Sequence, residues 1–227
     1  MSLTHEQIQA LKDRYGDDER AIIESDSSLD VLYAFGNLRE SLIEWYDMER
    51  GARAYLASEC PALERCLTGK GLTVDVAGCG DPDPGNVYDY LFFIGDIDLY
   101  SDEEYEELFG RLRTGGKVFI AWDNRYGIKY LNGAKPRGAV YSLRELLSRT
   151  GGSRYGDELY YPMPDYRLPT SIYSDDYLPK EGELSRAAAA YDDAEYTAAD
   201  LGSRYDEICR DGRFRDFANS YLLIRTR

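Results

Sequence analysis

Gly115-Gly116-Lys117-Val118-Phe119-Ile120-Ala121-Trp122-Asp123-Asn124-Arg125-Tyr126-Gly127-Ile128-Lys129-Tyr130 decides how the rest of this chain is read. A glycine pair suited to ending a helix is followed by an apolar run of strand length, and that run stops abruptly in a dense polar and aromatic loop. Upstream, Tyr88-Asp89-Tyr90-Leu91-Phe92-Phe93-Ile94 is nearly continuous in apolar residues, the pattern of a parallel strand buried on both faces. Between the two runs, Ser101-Asp102-Glu103-Glu104 is a capping box, with Tyr105, Leu108 and Leu112 following at helical spacing until Gly115. Ser142-Leu143-Arg144-Glu145 repeats that grammar, with Leu143, Leu146 and Leu147 inward and Gly151-Gly152 as the stop. Strand, capped helix, strand, capped helix is the rhythm of an α/β sheet with right-handed crossovers.

Nearer the start, Thr4 to Tyr15 and Ser28 to Tyr46 show helical spacing, the second through Leu32, Phe35, Leu38, Leu42 and Trp45. They predict a helical appendage over residues 1–50, ahead of an α/β domain over 51–227. Ala54 to Ala57 reads as a strand, and Pro61 to Leu67 as a helix opened by its proline and closed by Gly69 and Gly71. Leu72 to Val76 alternates as a second strand. Only Ala77 to Val87 separates it from Tyr88, too short and too rich in Gly, Asp and Pro for a helix and a further strand. At the far end, Leu159 to Tyr161 reads as a strand and a Pro-rich aromatic segment runs to Pro179. A helical region includes Ala187 to Ala190 and Leu201 to Cys209, and Phe217 to Ile224 reads as a closing antiparallel strand.

The 227 residues, 43% of them hydrophobic, are enough for one sizeable core. With 27 Lys+Arg against 42 Asp+Glu the net charge is -15, the wrong sign for attraction to nucleic acid or an anionic membrane. No apolar run approaches the ~20 residues of a membrane span, and the first residues carry no secretion signal. Cys60, Cys66, Cys79 and Cys209 lack a Cys-x-x-Cys pair or nearby histidines, so neither a metal site nor a disulfide framework is signalled. Reduced thiols and a cytoplasmic setting are expected. The single histidine, His5, lies in a polar N-terminal stretch, which counts against mechanisms built on a histidine base.

Taken together, Leu38-Arg39-Glu40-Ser41-Leu42-Ile43-Glu44-Trp45-Tyr46 with Gly51-Ala52, Tyr88 to Gly95, Asp123 to Tyr130, Tyr160 to Thr170 and Phe217-Ala218-Asn219-Ser220 resemble the class I S-adenosylmethionine-dependent methyltransferases. The likeness is to a bacterial group associated with glycan-building glycosyltransferases. It implies a Rossmann-like, mostly parallel sheet with an antiparallel C-terminal strand, here without the family's third strand and its helix. It also implies S-adenosylmethionine as cofactor and a sugar, glycan or other small acceptor. In the wider class the turn after the first strand is glycine-rich and the second strand ends in a ribose-binding acid. Here the first turn is Ser58-Glu59-Cys60-Pro61-Ala62 and the second strand ends near Gly78 without a carboxylate. Weakened or lost cofactor binding, in a pseudoenzyme or scaffold, is therefore one expectation. The other is an active methyltransferase using a displaced glycine loop in which Gly78, Gly80 and Asp81 touch the cofactor.

The site residues follow from the carboxyl edge of the sheet, where open α/β sheets place their ligands. Gly95 and Asp96 end the central strand as cofactor-binding residues. Asp123, Asn124, Arg125, Lys129 and Tyr130, with Tyr161, Asp165 and Tyr166 of the aromatic segment, are expected against the acceptor. No catalytic residue is assigned. Without a third strand the second becomes a sheet edge, so a homodimer or protein partner along Leu72 to Val76 is expected.

Overall fold

The computed structural model describes residues 3–16, 18–79, 85–153, 156–185, 191–193 and 200–227. Its elements in chain order begin with helices α1 (His5–Tyr15), α2 (Glu19–Ser25) and α3 (Leu29–Phe35), followed by a 3-10 turn over Asn37–Leu42. Then come β1 (Arg53–Leu56), α4 (Pro61–Gly69), β2 (Thr73–Val76), β3 (Tyr88–Ile94), α5 (Asp102–Gly110) and β4 (Leu112–Asn124). The remainder is α6 (Ile128–Leu131), β5 (Val140–Tyr141), α7 (Leu143–Arg149), β6 (Glu158–Met163), β7 (Ser171–Ser174), α8 (Leu201–Arg210), α9 (Phe214–Phe217) and β8 (Ser220–Thr226).

One mixed sheet runs in the order β2-β1-β3-β4-β8-β6-β7, with β5 beside the end of β4. The pairs β2–β1, β1–β3, β3–β4 and β4–β5 are parallel, whereas β8 runs antiparallel between β4 and β6. This is a Rossmann-like α/β fold, mostly parallel with an antiparallel C-terminal strand. Among the described residues nothing lies outside β2, so it is the sheet edge, as the short link after Val76 implies. Among them, too, no helix is long and apolar enough to cross a membrane.

Both faces of the central strands are covered, which explains their unbroken hydrophobicity. Leu91, Phe93, Val118, Ile120 and Trp122 face one layer with Tyr105, Leu108 and Leu146. Phe92, Ile94, Phe119 and Ala121 face the other with Leu56, Leu63 and Leu67. Pro61 opens α4 at its first turn, and the boxes at Ser101/Glu104 and Ser142/Glu145 cap α5 and α7.

Several boundaries differ from the sequence reading. The expected helix from Ser28 to Tyr46 is broken at Gly36, whose extended backbone (φ -71, ψ 137) ends α3. A Cβ there would lie 2.5 Å from the Leu32 carbonyl oxygen, so the close turn requires glycine. Beyond the break Leu42 is buried, but Leu38 and Trp45 are exposed. Helix α2 went unread between the two periodic stretches. Helix α5 ends at Gly110 rather than Gly115, and Leu112 already belongs to β4. Tyr88 pairs with Leu112 and Tyr90 with Lys117, so the Gly115-Gly116 pair accommodates a bulge rather than a helix stop. The aromatic segment contains a strand of its own, β7, in a hairpin with β6. The closing strand begins at Ser220, because Phe217 ends α9. The expected helix at Ala187 to Ala190 lies outside the described residues.

Candidate functional site

A cavity of about 310 Å³ opens where β1 and β3 end. Ser58, Glu59 and Cys60 from the turn after β1, Ile94, Gly95 and Asp96 from the end of β3, and Tyr33, Arg39, Tyr166 and Arg167 from elsewhere line it. Carboxyl ends of parallel strands are where an open sheet leaves a crevice.

Arg39 reaches it from the 3-10 turn and is buried. It donates to the carbonyl oxygens of Tyr166 (3.0 Å) and Ile94 (3.2 Å), bonds that fix the guanidinium without neutralising it. Its Nε has no hydrogen-bond partner among the described residues, nor has Nη1 of Arg167. Arg167, also buried, lies 2.7 Å from Oδ2 of Asp123 and stacks on Tyr166 with 4.5 Å between guanidinium carbon and ring centre. Opposite these cations stands Asp96, 7% exposed, accepting a short hydrogen bond from the Ser58 hydroxyl. Burial pushes its carboxyl up to about 6, against the pull of that hydrogen bond and of the Arg39 charge. Two guanidinium groups and one carboxylate line this cavity, a charge pattern complementary to a small zwitterion.

Of the residues expected at the site, the fold brings Gly95, Asp96 and Tyr166 to this cavity. Gly95 has φ +91, and a Cβ on it would sit 2.5 Å from the Tyr166 hydroxyl, so glycine permits the ring to close the wall. Gly78 has φ +81 and is exposed beyond β2, with nothing near its Cβ position. Gly80 and Asp81 lie outside the described residues.

The acceptor residues are dispersed. Asn124 is committed to the fold, donating to Asp216 and Ala218 carbonyls at 2.9 and 2.8 Å. Arg125 is exposed and paired with Glu145. Tyr161 is buried among Phe214 and Tyr221 and donates to Asp175. Lys129 is fully buried, its ammonium 2.9 Å from Asp165 and 3.2 Å from Asp192. Burial works to strip its proton, but Asp165, Asp123 and Asp192 outweigh that and hold its pKa above the ordinary value. For Asp165 burial pushes up, yet Lys129 and Arg167 with their hydrogen bonds hold the carboxyl below its usual range. Burial and the Asp123 charge push the Tyr130 hydroxyl far up. These groups form a charged network behind the cavity wall formed by Tyr166 and Arg167. The sequence reading did not single out Arg39 or Arg167, although they lie within the quoted Leu38–Tyr46 and Tyr160–Thr170 stretches, and it named Ser58 only as part of the glycine-poor turn after the first strand. Nothing in their spacing announces that they meet.

Around S-adenosylmethionine the fit is uneven. The turn Ser58-Glu59-Cys60 has no residue at positive φ, and Glu59 accepts a 2.6 Å contact from His5 of α1. Cys79, beyond β2, lies 3.8 Å from the same imidazole. His5, Glu59 and Cys79 thus stand together beyond the ends of β1 and β2, and among the described residues the turn after β2, Ala77-Gly78-Cys79, carries no acid.

No family model matches the chain, and no curated protein matches it. Solved structures do. An S-adenosylmethionine-dependent methyltransferase of Thermotoga maritima, described as a possible histamine N-methyltransferase, is 10% identical, with 96% of this chain and 98% of that one covered and a TM-score of 0.46. One from Archaeoglobus fulgidus is 12% identical, with 93% and 100% covered and a TM-score of 0.47. A Geobacter sulfurreducens enzyme in complex with S-adenosylhomocysteine is 14% identical, with 84% and 90% covered and a TM-score of 0.37. At these identities and scores nothing about ligand or reaction follows.

Proposed function

We propose that this is a methyltransferase-like binding protein rather than an ordinary methyl-transfer catalyst, and that its cavity takes a small zwitterion of α-amino-acid type. The ligand carboxylate lies between Arg39 and Arg167, and its ammonium group faces Asp96. The observation that carries this reading is Arg39, a buried guanidinium that lines the cavity and, among the described residues, donates to two carbonyl oxygens without a salt bridge. A buried charge without a carboxylate partner is costly, and an anionic ligand group would offset that cost. Calorimetric titration with S-adenosylmethionine, S-adenosylhomocysteine and a panel of free α-amino acids tests it. Amino acids binding to the wild type and losing affinity at least tenfold in Arg39→Met support the proposal. Micromolar binding of either nucleoside would overturn it.

A second reading is an active S-adenosylmethionine-dependent methyltransferase working through the loop after β2. The positive φ and open surroundings of Gly78 favour it, because a ligand can approach that backbone closely. Transfer of a labelled methyl group, lost in Gly78→Val, would establish it. For a sugar or glycan acceptor the supporting feature is Trp45, exposed and 4.9 Å from the Tyr160 ring. Ser41, Thr170, Ser171 and Ser174 offer hydroxyls around the same groove, so a sugar ring stacks on the indole and hydrogen-bonds at its edge.

A further inference from the structure

Three donor types converge from distant parts of the chain at Glu59, which also lines the cavity. His5 stands in the first turn of α1, Glu59 in the turn after β1, and Cys79 in the turn after β2, at separations from His5 of 54 and 74 residues. Their nitrogen, oxygen and sulfur atoms all lie within 4.8 Å of one another. No spacing motif signals such a set, so the sequence reading, which looked for ligands close together in the chain, expected no metal.

Each donor is held by a packed element. The Thr4 and Gln7 side chains close the start of α1 reciprocally, and Ile8 is buried with Ile22, Val31 and Phe35, which fixes where His5 points. Glu59 immediately precedes the Cys60-Pro61 start of α4. The amide of Cys79 donates to the Val76 carbonyl at 3.2 Å, folding the end of β2 back.

We propose that His5, Glu59 and Cys79 form a binding site for a zinc-class divalent cation, with water completing the coordination. With metal–nitrogen and metal–oxygen bonds of about 2.0 Å and a metal–sulfur bond of about 2.3 Å, tetrahedral ligands stand about 3.3 Å apart for N and O and about 3.5 Å for N and S. The Sγ–Nδ1 distance of 3.8 Å already suits an ion between the two. The Nδ1–Oε2 distance of 2.6 Å is a direct contact that opens by a side-chain adjustment of Glu59. Thiolate and imidazole select zinc or cobalt over magnesium or calcium. The surroundings suit a cation: a metal ion bound here replaces the Cys79 proton and faces the Glu59 carboxylate. Lys12 approaches Glu59 only through the other oxygen, at 3.9 Å. His5 and Cys79 are both exposed, which leaves an entry path and room for water. An ion here ties α1 to the turns that follow β1 and β2. The inference is independent of the zwitterion reading.

Cobalt titration of the metal-free, untagged full chain is the test. The expected result is one equivalent bound, with a thiolate charge-transfer band and intense visible bands of tetrahedral cobalt, both displaced by zinc. Cys79→Ser abolishes the charge-transfer band. His5→Ala and Glu59→Gln weaken binding by more than the ~10–100-fold that loss of an outer-sphere partner costs. Cys209→Ser leaves every signal unchanged, and metal-free melting curves of all variants match the wild type. Absence of a saturable signal overturns the site, as does a band that survives in Cys79→Ser or an affinity indifferent to His5→Ala.

Discussion

The guanidinium of Arg167 lies 2.7 Å from a carboxylate oxygen of Asp123, joining the loop after β6 to the end of β4. Both residues are buried, so neither charge can be hydrated when its partner is removed. Arg167→Met is therefore expected to cost about 3–5 kcal/mol in urea unfolding, the usual penalty for stranding one half of a buried pair. A loss below about 1 kcal/mol would mean that water reaches Asp123.

Asp96 sets a pH dependence of opposite sign to that of most carboxylates. Its folded pKa of about 6 stands above the ordinary 3.8, so the group favours folding while protonated and withdraws that contribution as pH rises from about 4 through 6. Asp96→Asn, which keeps the shape, is expected to gain on the order of 3 kcal/mol at pH 7.5 relative to wild type and to show little advantage below pH 4. Equilibrium unfolding at several pH values measures this. Binding of the zwitterion, which needs the ionised form, is expected to weaken as pH falls through 6.

Asp165 works the other way. Its carboxyl is held below the ordinary range, so its stabilisation is present above that range and disappears as pH falls through the folded value. Lys129→Met is expected to cost about 3–5 kcal/mol at neutral pH by leaving Asp165 and Asp192 without their ammonium partner. In Lys129→Met/Asp165→Asn, part of that loss should return, and the acid-side slope between pH 2 and 4 should flatten. An unchanged slope would assign acid lability to other carboxylates.

Gly95 and Tyr166 are sterically coupled. Gly95→Ala places a Cβ 2.5 Å from the tyrosine hydroxyl and strains a backbone at φ +91, so a loss of about 1–3 kcal/mol is expected. Removing the hydroxyl in Gly95→Ala/Tyr166→Phe should recover the contact portion and leave the backbone portion. A double-mutant cycle with no coupling energy would show that the ring moves away freely.

How far the sequence could be read depended on whether a signal was local. Tyr88 to Ile94 and the two capping boxes are local patterns, and the structure places them as expected. The missing element after Val76 was legible because chain length alone forbids it. The break at Gly36 was not, because Leu42 keeps the helical period across a turn that is no longer α-helical, while Trp45 leaves the core to sit beside Tyr160. Lys129 sat in a polar loop by composition, but the fold buries it against carboxylates supplied from 36 and 63 residues away. Arg39, Asp96 and Arg167 meet only through tertiary packing, and side-chain chemistry alone cannot announce such a meeting.

Because β8 runs between β4 and β6, the last strand of the chain is interior to the sheet. During synthesis, β4 and the β6–β7 hairpin leave the ribosome with the seam between them still vacant. The two halves of the sheet are joined only when residues 220–226 emerge, so the nascent protein carries unpaired strand edges at β4 and β6 until that segment has left the ribosome.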